Sequence, residues 1–252
     1  MTIFLGLITA HILADFVMQS GFKENRTGAD LLGHIVAVSA MTAIVLCGLQ
    51  YWGTISFSSA KVLAGVIVGI GIVHAAQDVA GANLGEYLRP YITQLTGLVI
   101  DQVLHVAVLL GVGTLLRQQQ VVAIASTSVG TYGWQAELAL RTVLLAAFAT
   151  SVAAVVIAYL LEPFAQQLKL PSDSKMLNAG LWIGVCERFL LVLAIASGSE
   201  LFPSVGFVLT AKSIFRFREL ENRVHAEYYL LGTLMSISVA VFIGLILRAM
   251  YS

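Results

Sequence analysis

Long apolar stretches alternate with short polar segments along the whole chain. Eight of these stretches have the character of hydrophobic helices, because about 20 apolar residues cross a bilayer. They lie at residues 2–19, 31–52, 62–82, 97–117, 138–161, 176–198, 203–217 and 226–250. The pattern predicts an all-α fold, that of a polytopic helical membrane protein. The seventh stretch is short and carries Lys212 and Arg216, which indicates a partly buried or re-entrant segment.

Composition strengthens this interpretation and narrows the choice of partners. Of the 252 residues, 58% are hydrophobic and 11% are charged, whereas soluble domains carry about 25% charged residues. The formal net charge is +0, so the chain offers no general basic attraction for nucleic acid. We therefore expect membrane lipid as its surroundings and no nucleic-acid partner.

Residues 118–137 are mostly polar or small and divide the chain into two halves. The predicted organisation is a four-helix half at 1–117, a linker at 118–137 and a half of membrane helices with charged residues at 138–252. Loops rich in Lys and Arg alternate with loops that are poor in them, and the richer set is expected in the cytoplasm. The richer loops are at residues 23–26, 86–90, 169–175 and 216–223. This places both termini outside a plasma (inner) membrane, although Lys61, Arg117 and Arg248 fall on the opposite side.

Four histidine–aspartate pairs with a spacing of four residues lie in the apolar stretches of the first half. Two read His then Asp and two read Asp then His; in chain order they are His11–Asp15, Asp30–His34, His74–Asp78 and Asp101–His105. The first two pairs lie on either side of one loop, and the last two pairs lie on either side of another. The four-helix half is therefore predicted to be a tandem repeat of two helical hairpins. These pairs contain four of the five histidines of the chain.

Residues four apart share one face of a helix, and all four pairs lie towards the same end of their helices. Eight side chains can therefore converge on one layer near the cytoplasmic face. Four carboxylates in one layer repel each other unless cations neutralise them. Imidazole and carboxylate suit Zn, Mn or Fe. The predicted metal ligands are His11, Asp15, His34, His74, Asp78, Asp101 and His105.

Two other interpretations of the pairs remain open. They could be neutral hydrogen-bonded pairs of purely structural value, or they could line a proton or ion pathway. The number of ions is also open: a two-metal site is preferred, and a single ion supported by further carboxylates is the alternative.

The charged residues of the second half suggest either ion pairs or an anion site. Glu187 and Glu227 are candidates for structural ion pairs with Arg188, Lys212 or Arg216, because buried charges in lipid need partners. Alternatively Arg188, Lys212 and Arg216 bind a phosphate or a lipid head group as substrate.

Several segments together resemble a known family. They are "HILADFVMQ", "DQVLH" and the series "GLWIGVCERFLL", "GFVLTAKSIFRFREL" and "AEYYLLGTLMS". They are similar to an uncharacterised family of bacterial and archaeal integral membrane proteins, defined as a domain of unknown function. The likeness covers most of the chain outside residues 118–136. A looser likeness links the His- and Asp-bearing helices to membrane-bound metal-dependent hydrolases, without residue assignments.

These observations lead to a function hypothesis: a metal-dependent membrane hydrolase of a lipid or lipid-linked ester or phosphoester. The metal would activate water, and Asp30 or Asp101 would act as the general base. The partner would be a lipid-like or anionic small molecule, and a homo-oligomer is open. The alternatives are a divalent-cation or proton-coupled transporter and a non-catalytic protein with a structural metal.

Overall fold

A computed structural model describes residues 1–18, 28–88, 91–124, 133–167, 174–198, 206, 210 and 223–251. Seven helices lie within these residues. They are α1 (Thr2–Ile12, continued by a π-helical segment, Leu13–Met18), α2 (Gly28–Tyr51), α3 (Ala60–Leu88), α4 (Gln94–Gln118), α5 (Gly133–Ala147, then a π-helical turn, Phe148–Val152, then Ala153–Gln167), α6 (Ser174–Ser197) and α7 (Arg223–Tyr251).

Five helical segments are long and apolar enough to cross a membrane: Asp30–Tyr51, Ala60–Leu88, Gln94–Gln118, Trp134–Gln166 and Ala226–Tyr251. The apolar helix Thr2–Met18 is shorter. The prediction of an all-α, polytopic helical membrane protein is confirmed, and seven of the eight predicted stretches correspond to α1–α7. The remaining stretch, the seventh at residues 203–217, lies outside the described residues except for Gly206 and Thr210.

Two short strands were not expected. β1 (Ile55–Phe57) pairs antiparallel with β2 (Val122–Ile124), with Ile55 opposite Ile124. β1 follows α2 directly, and β2 lies within the predicted linker. The linker is therefore partly ordered structure that closes one end of the first half.

By compactness the chain divides into two units, Met1–Leu144 and Leu145–Ser252. The boundary differs from the predicted one because β2 and the first turns of α5 belong to the first unit. Ala136 and Leu140 of α5 are buried in its core, which is formed mainly by aliphatic side chains: Ile3, Leu7, Leu46, Leu49, Ile55, Phe57, Ile70, Leu109 and Val122.

The second unit packs the rest of α5 with α6 and α7. Its core contains Leu191 and Val192 of α6 and Ile243 and Leu247 of α7. The two helices approach closely at Gly244, where an added Cβ would lie 2.8 Å from Cβ of Ile195. A side chain at this position would force the helices apart, so glycine permits the contact.

Helix ends in the first unit differ from the predicted ones. α3 continues to Leu88 and α4 begins at Gln94, where Thr93 caps it by accepting a hydrogen bond from the Thr96 N–H at 3.1 Å. The pair His74–Asp78 therefore lies further inside its helix than expected. The reason is that α3 continues through polar residues beyond its apolar part.

Candidate metal centre

Each of the four helices α1–α4 contributes one histidine–aspartate pair. The four histidines, His11, His34, His74 and His105, are only 1–7% exposed. α1 changes to π-helical hydrogen bonding at Leu13, two residues before Asp15, and such segments are frequent at functional sites. The seven residues whose side chains are joined by the distances below are called the His/Asp cluster: His11, Asp15, His34, His74, Asp78, Asp101 and His105.

At the centre of the His/Asp cluster two imidazoles and two carboxylates face each other. Nε2 of His34 lies 2.9 Å from Nε2 of His74. Oδ1 of Asp15 lies 3.5 Å and 3.3 Å from these same nitrogens. The Asp78 carboxylate completes the group, with Oδ2 at 3.3 Å from His34 and Oδ1 at 3.6 Å from His74. Three helices are thus linked through their polar atoms, with α1 and α3 supplying the acids.

The other two histidines flank this centre. Nε2 of His11 lies 3.7 Å from Oδ2 of Asp15, and Nε2 of His105 lies 3.3 Å from Oδ1 of Asp78. The rings of His11 and His105 stack on each other with centroids 5.0 Å apart. Each central aspartate is therefore contacted by its own helix's histidine and by histidines of other helices.

The surroundings of His105 favour a positive charge beside Asp78. Its Nδ1 lies 2.9 Å from the backbone carbonyl oxygen of Asp101, and a carbonyl only accepts, so Nδ1 carries the hydrogen. In the neutral ring Nε2 then presents a lone pair to the Asp78 carboxylate. A cation between the two atoms, or a proton on Nε2, removes this repulsion. Histidines that ligate metals commonly donate their other N–H to a carbonyl in this way.

The distances fit a bound ion. A tetrahedral Zn²⁺ with ligand bonds of about 2.0–2.1 Å places its ligand atoms about 3.3–3.4 Å apart, close to the 2.9–3.6 Å separations at the centre. Two triads in the described residues could hold a metal: His11, Asp15 and His74, and His34, His74 and Asp78. Both triads include His74. A single ring nitrogen has one lone pair and can therefore bind one metal ion.

The polar groups form layers along the helices. Four residues from each histidine, on the side away from its aspartate, lies a buried aliphatic side chain: Leu7, Val38, Ile70 and Leu109. Since residues four apart stack along a helix, an aliphatic layer lies behind the imidazoles and the carboxylates lie in front. The side chain of Asp101 is 37% exposed. The His/Asp cluster is therefore accessible from the carboxylate side.

Asp30, the remaining acid of the four pairs, stands apart from both triads. Its side chain is half-buried and is the first in α2 to be described. Asp30 takes part in a polar or electrostatic interaction. Its predicted role as general base stays a prediction.

Two residues beside the His/Asp cluster were not predicted from the sequence. Gln102 lies within hydrogen-bond distance of His11, Asp15 and Asp101. Gly81 of α3 lies so near Asp101 that an added Cβ would be 2.9 Å from Oδ1. A polar residue next to an intramembrane aspartate was the available signal for Gln102, whereas Gly81 gave none.

The predicted anion site in the second half is described only at Arg188, since Lys212 and Arg216 lie outside the described residues. Arg188 is buried and donates to neutral oxygens, those of the Ser236 hydroxyl and the Thr150 carbonyl, both at 2.9 Å. Glu187 is buried and Glu227 is exposed. The proposed ion pairs and anion site stay predictions.

Comparison with known proteins identifies the family to which most of the first unit is similar. Residues 3–131 match the model of a family described as protein of unknown function (DUF3307). The chain belongs to this family. The DUF3307 region contains all four histidine–aspartate pairs and also residues 118–131, which the resemblance had left out. It ends before α5, so the likeness of the C-terminal segments stays a prediction. No curated protein and no solved structure matches the chain.

Proposed function

We propose that the first unit is a membrane-embedded, metal-dependent hydrolase. Its site binds one divalent ion, Zn, Mn or Fe, and opens towards the cytoplasmic leaflet of the plasma membrane. Its substrate is a lipid or lipid-linked ester or phosphoester. The observation that carries this proposal is the layered order of carboxylates, imidazoles and buried aliphatic side chains, with the exposed Asp101 on the carboxylate side.

The ion is assigned to four ligands, Asp15, His34, His74 and Asp78. The five distances that join the two histidines to each other and to the two aspartates, 2.9–3.6 Å, fit one coordination sphere. Two carboxylates and two neutral imidazoles carry two negative charges, which one divalent cation balances, and a neutral site suits a low-dielectric interior. The shared nitrogen of His74 favours one ion over the two-metal alternative. His105 then serves as a fifth ligand or supports Asp78.

The chemistry follows from what surrounds the ion. A divalent cation lowers the pKa of bound water and polarises a scissile carbonyl or phosphoryl group. Asp101 is the most exposed carboxylate described in the His/Asp cluster, so it is best placed to accept a proton from water at the open side. Asp30 is the second candidate for this role. The aliphatic layer behind the histidines limits water to the reacting side.

The main alternative is a divalent-cation or proton-coupled transporter. It is favoured by the similar geometry of the two hairpins: His11–Asp15 and His74–Asp78 measure 3.7 and 3.6 Å, and Asp15–His34 and Asp78–His105 measure 3.5 and 3.3 Å. Carriers are often built from such repeats. Against a carrier stands the aliphatic layer, which blocks a polar route through the first unit beyond the histidines.

The decisive experiment combines metal content with turnover. The full chain is purified in detergent, its metal is measured by elemental analysis, and it is incubated with extracted membrane lipids whose products are identified by mass spectrometry. We expect one ion per chain and metal-dependent release of a hydrolysis product. Asp101→Asn should retain the ion and lose about 10²–10⁴-fold in turnover.

The same preparation in proteoliposomes separates the alternatives. Zn²⁺ or proton flux without hydrolysis would establish the transporter. A bound ion without flux or hydrolysis, whose removal melts the protein, would leave only a structural metal. Absence of metal from the wild-type protein would refute the metal-dependent hydrolase and the structural metal, and proton flux would then decide whether the protein is a proton-coupled transporter.

A further inference from the structure

We propose that Gln102 is a positioning residue of the metal centre, which directs one oxygen of Asp15 at the ion and holds Asp101 beside it. This inference rests on the proposed metal site for its functional meaning. Its structural part, the orientation of the Gln102 amide and of the His11 ring, can be tested without metal.

Gln102 joins three members of the His/Asp cluster. Its Oε1 lies 3.1 Å from Nε2 of His11. Its Nε2 lies 3.4 Å from Oδ2 of Asp15 and 3.2 Å from Oδ2 of Asp101. The half-buried amide of α4 thus contacts α1 twice and its own neighbour once.

The chemistry of these partners determines which way the amide faces. Ionised carboxylates only accept hydrogen bonds, so the amide NH₂ must face Asp15 and Asp101. The reverse orientation would set the amide oxygen against two carboxylates. The oxygen therefore faces His11, and the His11 ring must donate from Nε2. His11 then carries no hydrogen on Nδ1, a buried atom without a hydrogen-bond partner among the described residues.

This arrangement divides the two oxygens of Asp15. Oδ2 is held by Gln102 and lies 3.7 Å from His11, while Oδ1 is directed at His34 and His74. Oδ1 is therefore the oxygen of Asp15 that would bind the ion. Since His11 donates its Nε2 hydrogen to Gln102, that nitrogen is not a metal ligand. His11 supports Asp15 instead, a role that differs from the predicted one.

Gln102 also links the ligand Asp15 to Asp101, the candidate general base. Two carboxylates held near each other repel, and a neutral donor that serves both reduces the repulsion without adding charge. Replacement by leucine would remove both donors, and replacement by glutamate would add a third carboxylate. Both changes should disturb the site while preserving the size of the side chain.

Gln77 offers a matched control on the neighbouring helix. Its Nε2 donates to the backbone carbonyl of Leu104 at 3.2 Å, so it links α3 to α4 by one hydrogen bond to the backbone. Gln77→Leu removes a comparable amide that also links α4 to a neighbouring helix. A general loss of packing or hydrogen bonding would affect both leucine variants alike.

The experiment measures Zn²⁺ affinity by competition with a chromophoric chelator, at one pH, for the wild-type full chain and for Gln102→Leu, Gln102→Glu and Gln77→Leu. We expect a loss of about 10–100-fold in affinity for Gln102→Leu, as for other groups that orient metal ligands, and a change below about 3-fold for Gln77→Leu. Equal affinity of wild type and Gln102→Leu, or equal losses in both leucine variants, would overturn the proposal.

A second measurement needs no folded variant of Gln102 and no metal. Nitrogen-15 spectra of histidine-labelled wild-type protein, stripped of metal, report which ring nitrogen carries hydrogen, and His11→Gln identifies the His11 signals. We expect the hydrogen of His11 on Nε2. Hydrogen on Nδ1 would refute the inferred amide orientation even if the wild type binds Zn²⁺. If the wild type binds no Zn²⁺ but His11 carries hydrogen on Nε2, the proposed function fails and the orientation stands.

Discussion

Arg188 of the second unit and the His/Asp cluster of the first are both buried polar groups in apolar helices, but their neighbours differ in chemistry. Arg188 is a donor surrounded by acceptors, the Ser236 hydroxyl and the Thr150 carbonyl. Thr150 lies in the π-helical turn of α5. The guanidinium thus links three helices of its unit through Nη1 and Nη2, while its buried Nε has no hydrogen-bond partner among the described residues.

In the His/Asp cluster, by contrast, the match of donors to acceptors depends on where protons or a cation lie. Nε2 of His105 faces Oδ1 of Asp78 at 3.3 Å, and two Nε2 atoms face each other at 2.9 Å. Such an arrangement is stable only when protons or a cation lie between the groups. The contrast teaches that burial of polar residues in a membrane helix is not itself a sign of function. Function is indicated instead by a set of facing groups whose charges are balanced only by added protons or a bound cation.

The largest effect should come from the histidine shared by both triads. His74→Ala removes a ligand and leaves two carboxylates without their counterpart, so Zn²⁺ affinity should fall by more than about 100-fold, beyond the loss expected for a supporting hydrogen bond. Elemental analysis and chelator competition measure it. His225→Ala is the control, since His225 lies outside the four pairs. If His74→Ala retained wild-type affinity for Zn²⁺, the role of the His/Asp cluster would be purely structural, as we expect for Arg188.

Arg188→Met should act on stability and not on metal. It removes two hydrogen bonds from a buried charged donor, so we expect a loss of about 1–3 kcal/mol in unfolding free energy with unchanged Zn²⁺ content. Denaturation of the detergent-solubilised chain, followed by circular dichroism, measures the first quantity. A loss of Zn²⁺ with normal stability would contradict a purely structural role of Arg188 and would support its role at a ligand site.

The comparison also shows what the sequence could predict. A 20-residue apolar run specifies a membrane helix by itself, and a spacing of four places two side chains on one face, so the helices and the convergence of the pairs on α1–α4 were accessible. β1 and β2 were not, because three-residue strands are defined by a partner 67 residues away. The polar end of α3 likewise lacked the apolar signal used to delimit helices.

The partners of the buried groups were the least accessible. Gln102, Ser236 and Thr150 are neutral residues of common type, and their roles arise only from the packing of one helix on another. The local sequence cannot specify that packing. The hydroxyl and the backbone carbonyl that accept hydrogen bonds from Arg188 gave no signal in the sequence, and the predicted ion pair of Arg188 with a glutamate stays a prediction.

Ser236→Ala should produce a smaller version of the Arg188 effect. It removes one acceptor and leaves the Thr150 carbonyl, so we expect a loss of about 0.5–1.5 kcal/mol in unfolding free energy. The same denaturation assay measures it, with Ser236→Thr as the variant that keeps the hydroxyl. A loss as large as that of Arg188→Met would mean that the guanidinium depends on this one acceptor.

Gly81→Ala should give the smallest change, and it tests the crowding around Asp101. The new methyl group would lie 2.9 Å from Oδ1 of Asp101, whereas at Gly85, one turn further along α3, an added Cβ meets nothing within 4 Å. Alanine favours a helix over glycine by about 0.5–1 kcal/mol, so Gly85→Ala should keep or slightly raise the melting temperature and leave Zn²⁺ binding and turnover unchanged. Gly81→Ala should displace the carboxylate and lower turnover several-fold, with little change in affinity because Asp101 is not among the four assigned ligands. Equal behaviour of the two alanine variants would show that Asp101 moves freely at the open side and is not held in place by α3.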